Sequence, residues 1–425
     1  MKILFIYLPH PYLNQPDAQA PLGVMYLASV LKNNNIDVDI KSYSSYTVTK
    51  AIDNLPKADI YGITVTSLEL LESNRFSKLI KDKYPNCKIF LGGPGTTTKE
   101  FIDFGVIDSI CVGDGEITIL QMIEDVKNDS LQSIYYGESL KNIDNLPLPA
   151  RHLLDFQGGN IFVNNKNYRD GGSTIILTSR GCPFNCSFCS APSFTYNRIV
   201  RFRSSQSVYD EIKHVIENFG ITQFRFSDDM FTANFNHVKE ICKKIKKLDI
   251  VWRISCRVKP FTEEMAKIIY DAGCVEASFG VESFDDNVLK VLNKKTTAID
   301  NAKALHICSK VGIKTRVLFM IRTPGQTEKT VDINIRYLKQ VPYDIVACTS
   351  FVPIPGSDIW NNPDKYNIEI FNKNLDDYNF YFFTSSGENK LKPIFKIKDR
   401  SLEEFHNESI RFREWLKKEA NVNRG

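Results

Sequence analysis

The sequence predicts an α/β protein with two successive parallel-sheet domains and a small α-rich region at its carboxyl end. Three observations carry this. Strand-like and helix-like segments alternate from the first residues to about residue 356, the strand-like segments are almost continuously apolar, and a proline-punctuated stretch near residue 145 interrupts the alternation once. Strands apolar on both faces belong to parallel sheets covered by helices.

In the first domain, residues 1–140, Ile3 to Leu8, Asp37 to Ser42, Asp59 to Val65, Lys88 to Leu91 and Ser109 to Val112 read as strands, with helical periods such as Leu22 to Leu31 between them. Such a doubly wound, Rossmann-like sheet offers its ligand site at the carboxyl ends of the strands. Those ends carry a long polar loop after strand one, then Thr66-Ser67-Leu68, Gly92-Gly93 and Gly113-Asp114-Gly115-Glu116. Residues without side chains let a bulky ligand approach the backbone. A dinucleotide would require G-x-G-x-x-G in the first turn, where Pro9-His10-Pro11 stands, so NAD and FAD are disfavoured. Residues 141–172, with Asn145 to Pro149 and Gly158-Gly159, read as a linker.

In the second domain, residues 173–356, six strand-helix units are expected. Their strands are Thr174 to Thr178, Gln223 to Ser227, Val251 to Cys256, Val275 to Phe279, Lys314 to Met320 and Asp344 to Ser350. Helices are expected over Ser205 to Phe219, stopped by Gly220, and Thr262 to Ala272, stopped by Gly273. This pattern suits a partial (β/α)6 barrel of the TIM type, with a second doubly wound sheet as the competing topology. In residues 357–425 the pattern weakens to one helix, from Ser401 with a Glu404 capping box to about Lys418, and an aromatic run, Tyr378 to Phe383, read as core.

Composition narrows function. A charge of +4 over 425 residues, with scattered lysines, does not indicate a nucleic-acid surface. No apolar run approaches the roughly 20 residues of a membrane span, and no signal peptide is evident, so a cytoplasmic protein is expected. Ten cysteines are too few for a disulfide scaffold, and seven stand alone as small core hydrophobes.

The other three are crowded into Gly181-Cys182-Pro-Phe-Asn-Cys186-Ser-Phe-Cys189, directly after the first strand of the second domain. Structural zinc needs four ligands, and no second C-x2-C exists here. Three thiolates on a four-iron cluster leave one iron open. A protein using these cysteines and a distant histidine to hold zinc, as a binding module, stays open as the alternative from another class.

The loop Arg180-Gly-Cys182-Pro-Phe-Asn-Cys186-Ser-Phe188-Cys189 resembles the signature of the radical S-adenosylmethionine (SAM) enzymes, including the aromatic Phe188 before the last cysteine. The resemblance implies a [4Fe-4S] cluster on Cys182, Cys186 and Cys189. Its open iron would bind the amino and carboxylate groups of SAM, and one electron would split the sulfonium to a 5'-deoxyadenosyl radical. It further implies SAM contacts at Ser227, Asp228 and Asp229 for the amino group, Arg257 for the carboxylate, and Glu282, Pro324 and Gly325 along the ribose and adenine. Plainer readings are a helix N-cap for the aspartates and a surface ion pair for Arg253 and Arg257.

A doubly wound domain ahead of such a barrel resembles the cobalamin-binding class of these enzymes. His10, Thr66, Ser67, Leu68, Gly92, Gly93, Gly113, Gly115 and Glu116 are the implied cobalamin contacts. The D-x-H-x-x-G motif is absent, so cobalamin is expected base-off without a histidine ligand, with Thr66 to Glu69 near its lower face. The implied activity is C-methylation through the 5'-deoxyadenosyl radical and methylcobalamin. The alternative is a cyclising, rearranging or oxidising enzyme in which cobalamin relays electrons or is missing. A methylthiotransferase is disfavoured because the leading domain has only Cys87 and Cys111. The expected partners are a small-molecule, peptide or other biosynthetic substrate and an electron donor such as ferredoxin or flavodoxin.

Overall fold

A computed structural model describes residues 1–10, 16, 20–154, 162–163, 166–167, 169–191, 198–378 and 393–419. They fall into two compact units, the described residues up to Leu154 in the first and those from 162 onward in the second.

The first unit is built on β1 (Lys2–Tyr7), β2 (Asp37–Ser42), β3 (Ile60–Thr64), β4 (Lys88–Gly92), β5 (Ser109–Val112) and β6 (Ile134–Tyr136). All run parallel, in the order β2-β1-β3-β4-β5-β6. Helices α1 (Leu22–Asn33), α2 (Val48–Asp53), α3 (Leu70–Lys83) and α4 (Thr118–Lys127) connect them. The order reverses between β1 and β3, and ligands of doubly wound sheets bind at that switch point. The sixth strand adds to the five read from the sequence. It is a three-residue edge strand, and Gly137 continues its pairing by donating to the Val112 carbonyl at 2.8 Å.

The second unit carries β7 (Thr174–Ile176), β8 (Gln223–Phe226), β9 (Val251–Cys256), β10 (Cys274–Glu282), β11 (Lys314–Ile321) and β12 (Ile345–Ser350). Neighbours are all parallel and follow chain order from β7 to β12 without reversal, which excludes a second doubly wound sheet. β7 and β12 do not pair with each other, so the barrel is partial.

Local chemistry sets the helix limits here. In α5 (Ser205–Phe219), Ser204 accepts from the Ser207 N–H and Gly220 stops the helix in the left-handed region, φ 67°. After α6 (Phe235–Ile245) and α7 (Glu263–Asp271), Gly273 turns the chain into β10 at φ 98°, and a Cβ there would lie 2.2 Å from the Ile250 carbonyl oxygen. The core between sheet and helices is apolar, with Trp252 fully buried against Phe226 and its indole N–H donating to the Ala272 carbonyl at 2.8 Å.

Further along lie α8 (Asp286–Val291), α9 (Ala298–Val311), α10 (Thr330–Leu338) and α11 (Asp358–Asn361). The last helix, α12 (Leu402–Glu419), begins with the expected capping box. The Ser401 hydroxyl accepts from the Glu404 N–H at 3.2 Å, and the Glu404 carboxylate accepts from the Ser401 N–H at 3.4 Å. This helix is an integral part of the second unit, since Phe412 and Leu416 join the barrel core. Arg322, after β11, reaches Ser409 and His406 on it at 3.1 and 2.6 Å. Of the aromatic run, Tyr378 is buried and donates its hydroxyl to the Asn372 carbonyl, while 379–383 lie outside the described residues.

Candidate functional site

The three-cysteine loop leaves the barrel at the carboxyl end of β7, where elements far apart in sequence hold it. The Ser187 N–H donates to the Leu292 carbonyl at 3.0 Å and its hydroxyl to the Val291 carbonyl at 3.1 Å. The Asn293 amide donates to the Asn185 carbonyl at 2.5 Å, and the Ile359 N–H to the Ser187 carbonyl at 3.0 Å. Residues 291–294, at the end of α8 and just beyond it, therefore form the seat of the loop. Arg203 braces the loop's return through the Leu177 carbonyl and a buried ion pair with Glu211 on α5.

Each cysteine sulfur meets an N–H donor. The Phe184 N–H donates to Cys182, the Ala191 N–H to Cys189 at 3.4 Å, and Arg257 Nη1 to Cys186 at 3.0 Å. Burial pushes the Cys189 thiol up to about 11, and Cys186, Cys182 and Asp229 add to the rise. Burial also raises the Cys182 thiol, with Asp229 and Cys186 again adding. Cys182 and Cys189 thus both feel the charge of Cys186. Among the described residues, however, no three His, Cys, Asp or Glu side chains gather at a point fit for a single metal ion.

The other predicted residues of this unit lie at the neighbouring strand ends. Asp228, after β8, is buried, and its Oδ1 accepts from the Thr178 N–H, the Thr178 hydroxyl and the Ser179 hydroxyl at 3.0, 2.8 and 2.6 Å. It is neither a helix cap nor a surface group: it ties β8 to the entry of the cysteine loop, and burial raises its carboxyl to about 6. Asp229 accepts from the Gly181 N–H at 3.0 Å. Ser227 is exposed, and its N–H is used in the sheet.

Glu282 ends β10 in the left-handed region, φ 62°, with its carboxylate 2.8 Å from the Lys294 ammonium. The Lys294 ammonium stands 5.7 Å from the centre of the Phe188 ring. Pro324 is buried, and Gly325, φ 79°, packs against Val291 of the loop's seat. Arg253 is not at the barrel mouth: it pairs with Glu276 at 3.5 Å within the wall.

In the first unit, the ends of β1 and β3 meet at the switch point. His10 is buried, its Nδ1 3.3 Å from a Glu69 carboxylate oxygen, and the other Glu69 oxygen accepts from the Thr66 N–H at 2.6 Å. Ser67 is buried beside them, and Leu68 is half-buried. Gly93, φ 95°, lies so close to Val65 that a Cβ would come within 2.6 Å of its carbonyl oxygen, whereas a Cβ on Gly92 would meet nothing within 4 Å. Gly113 turns at φ 103°, Gly115 packs on Leu27, and buried Glu116 lines a cavity of about 480 Å³ with Val30, Ile117, Leu140 and Pro147.

Comparison with known proteins matches both regions. Residues 176–338 fit the radical SAM superfamily and residues 17–123 the B12 binding domain. The chain belongs to the radical SAM superfamily and carries a B12-binding domain. It is 29% identical over 368 residues, 80% of this chain and 77% of the other, to an uncharacterized methyltransferase, PH0819, of Pyrococcus horikoshii. It is 26% identical to the anaerobic magnesium-protoporphyrin IX monomethyl ester cyclase of Rubrivivax gelatinosus, over 89% and 72% of the two chains. The fold matches the radical SAM methyltransferase TsrM from Kitasatospora setae with a TM-score of 0.66, at 17% identity, over 87% and 78% of the chains.

The residues of this radical SAM protein fit the groups its family uses. Three spaced thiols, each with an N–H donor, are suited to a multinuclear iron-sulfur cluster whose metals sit at separate corners. Asp228 Oδ2 is buried without a partner among the described residues, an acceptor suited to a cationic group. The open space at Gly92, on a strand end at the edge of the switch region, fits a large flat cofactor lying on the backbone. The zinc-binding module considered from the sequence is set aside by family membership.

Lys294, Asn293, Ser187 and Phe184 were missed by sequence reasoning. Nothing in residues 291–294 announces a contact with a loop about a hundred residues earlier.

Proposed function

We propose that this radical SAM enzyme is a cobalamin-dependent methyltransferase that methylates an unactivated carbon. The observation that carries the proposal is the union, in one chain, of a three-thiol loop seated at the mouth of a partial barrel and a doubly wound domain whose switch-point histidine is held by Glu69. The likeness to PH0819 over most of both chains supports methyl transfer.

Bound cluster and cobalamin would supply one-electron and methyl-carrier chemistry. The chain's own part is positioning and exclusion of water. Cys182, Cys186 and Cys189 would hold the cluster. Asp228 and Asp229 would accept from the SAM ammonium, and Glu282, kept in place by Lys294, would face the nucleoside with Pro324 and Gly325. Thr66, Ser67, Leu68, Gly92, Gly93, Gly113, Gly115 and Glu116 would line the cobalamin, and His10, pinned by Glu69, supports its shelf without acting as a metal ligand. The substrate is a small molecule or peptide, and a low-potential one-electron carrier of the ferredoxin or flavodoxin class supplies the electron. No helix among the described residues is long and apolar enough to cross a membrane.

The likeness to a cyclase favours a second reading, in which the cobalamin serves redox chemistry alone. Anaerobically reconstituted protein given reductant and methyl-deuterated SAM separates the two. Methyl transfer releases S-adenosylhomocysteine and leaves the label on the cofactor-loaded protein. Release of 5'-deoxyadenosine without any S-adenosylhomocysteine supports the cyclase-like reading.

A further inference from the structure

Arg257 follows β9 and is buried, and its guanidinium has three attachments. Nη1 donates to Cys186 Sγ at 3.0 Å, Nη2 donates to the Lys294 carbonyl, and the planar face lies 3.9 Å from the centre of the Phe184 ring. Two of the guanidinium's five N–H groups are therefore spent on the cysteine loop and its seat, which fixes the plane of the group. Nε, a further donor, is buried without a partner among the described residues. This geometry gives Arg257 a role towards the cluster besides the carboxylate binding expected of it. Lys294, whose carbonyl Arg257 meets, has its own ammonium balanced by Glu282, so the charge Arg257 brings to the loop is not matched by that pair.

We propose that Arg257 sets the reduction potential of the iron-sulfur cluster by donating to the Cys186 thiolate, as a positioning and tuning residue. The step concerned is one-electron: a low-potential donor is oxidised, the cluster is reduced, and no covalent bond forms or breaks. Reduction adds one negative charge close to the guanidinium. A fixed cation and an N–H···S hydrogen bond stabilise the more negative state, so the parent protein is easier to reduce than a variant lacking them. Stacking on Phe184 and the Lys294 carbonyl keep the guanidinium from turning away, and these contacts fix the direction of the donor. The inference rests on the cluster that the family uses and not on methyl transfer.

The test is a redox titration of reconstituted Arg257→Gln and Arg257→Lys, followed by electron paramagnetic resonance without SAM, alongside iron and sulfide analysis and equilibrium SAM binding. Arg257→Gln is expected to be reduced about tenfold less readily, a fall of about 59 mV for one electron. Arg257→Lys is expected to regain part of that fall. Should Arg257→Gln fail to hold iron, Arg257→Lys decides, with a midpoint below the parent's expected. Parent midpoints in every variant that holds the cluster, with or without weakened SAM binding, overturn the proposal, and loss of iron from both variants overturns it in favour of an assembly role. A parent enzyme that transfers no methyl group while these shifts persist would count against the proposed function alone.

Discussion

The Glu282 carboxylate and the Lys294 ammonium lie 2.8 Å apart with side chains only 10% and 6% exposed. The pair couples the end of β10 to the segment that seats the cysteine loop. Gly280 makes room for it, since a Cβ there would fall 2.7 Å from Glu282 Oε1 and 2.8 Å from Lys294 Nζ.

Removing one partner of a buried pair leaves the other charge uncompensated. Lys294→Met is expected to destabilise the protein by about 3–5 kcal/mol, and Glu282→Gln combined with Lys294→Met to recover most of that. Denaturant unfolding of the single and double variants measures it. Strictly additive losses would show that the two side chains do not act as a pair.

Gly280→Ala pushes on the far ends of two flexible side chains and not on backbone. The fold is expected to survive, with the pair opened and SAM affinity of the cluster-loaded protein lowered about tenfold, roughly 1.4 kcal/mol. Equilibrium dialysis with labelled SAM reads this. Unchanged affinity would remove Glu282 from the SAM site.

Two adjacent glycines separate folding from cofactor binding in the first unit. Gly93→Ala meets a backbone carbonyl and a positive φ, and is expected to cost about 1–3 kcal/mol. Gly92→Ala meets nothing within 4 Å and is expected to keep the parent melting temperature while cobalamin retention falls. Retention equal to the parent's in a folded Gly92→Ala protein would take Gly92 out of the site.

His406 links α12 to Arg322 and gives a pH dependence. Arg322 donates to His406 Nδ1 at 2.6 Å, so the ring accepts only when neutral. Burial first, then Arg322 and Arg413, hold its pKa below the ordinary 6.5. Below pH 6.5 the unfolded chain takes up a proton that the folded ring resists. This contribution to stability is therefore complete above pH 6.5 and is lost as pH falls towards the folded value. Unfolding free energies measured from pH 7.5 down to 5 should fall more steeply for the parent than for His406→Gln. Parallel curves would contradict the assignment.

What was legible in the sequence was local. Ser401 with Glu404, Thr262 before α7 and Gly220 after α5 are caps whose chemistry is complete within a few residues, and each limits its helix as expected. The cysteine spacing was likewise readable, because three sulfurs within eight residues constrain one loop. β6 was hidden because a three-residue edge strand between a helix and a proline-rich stretch carries too few side chains to show a period. Arg257 was found as a cation at the right strand end, but its partner was not. Whether a buried guanidinium meets a sulfur depends on where Phe184 and Lys294 come to lie, and that is set by tertiary packing. Residues 291–294 were invisible for the same reason.

The most direct measurement is of iron, sulfide and SAM cleavage in anaerobically reconstituted parent and Cys186→Ala proteins. The parent should hold about four iron and four sulfide per chain and form 5'-deoxyadenosine on reduction, with Cys186→Ala losing both. One zinc without sulfide in the parent, or an undiminished 5'-deoxyadenosine yield from Cys186→Ala, would contradict the assignment of the three-cysteine loop as the seat of the chemistry.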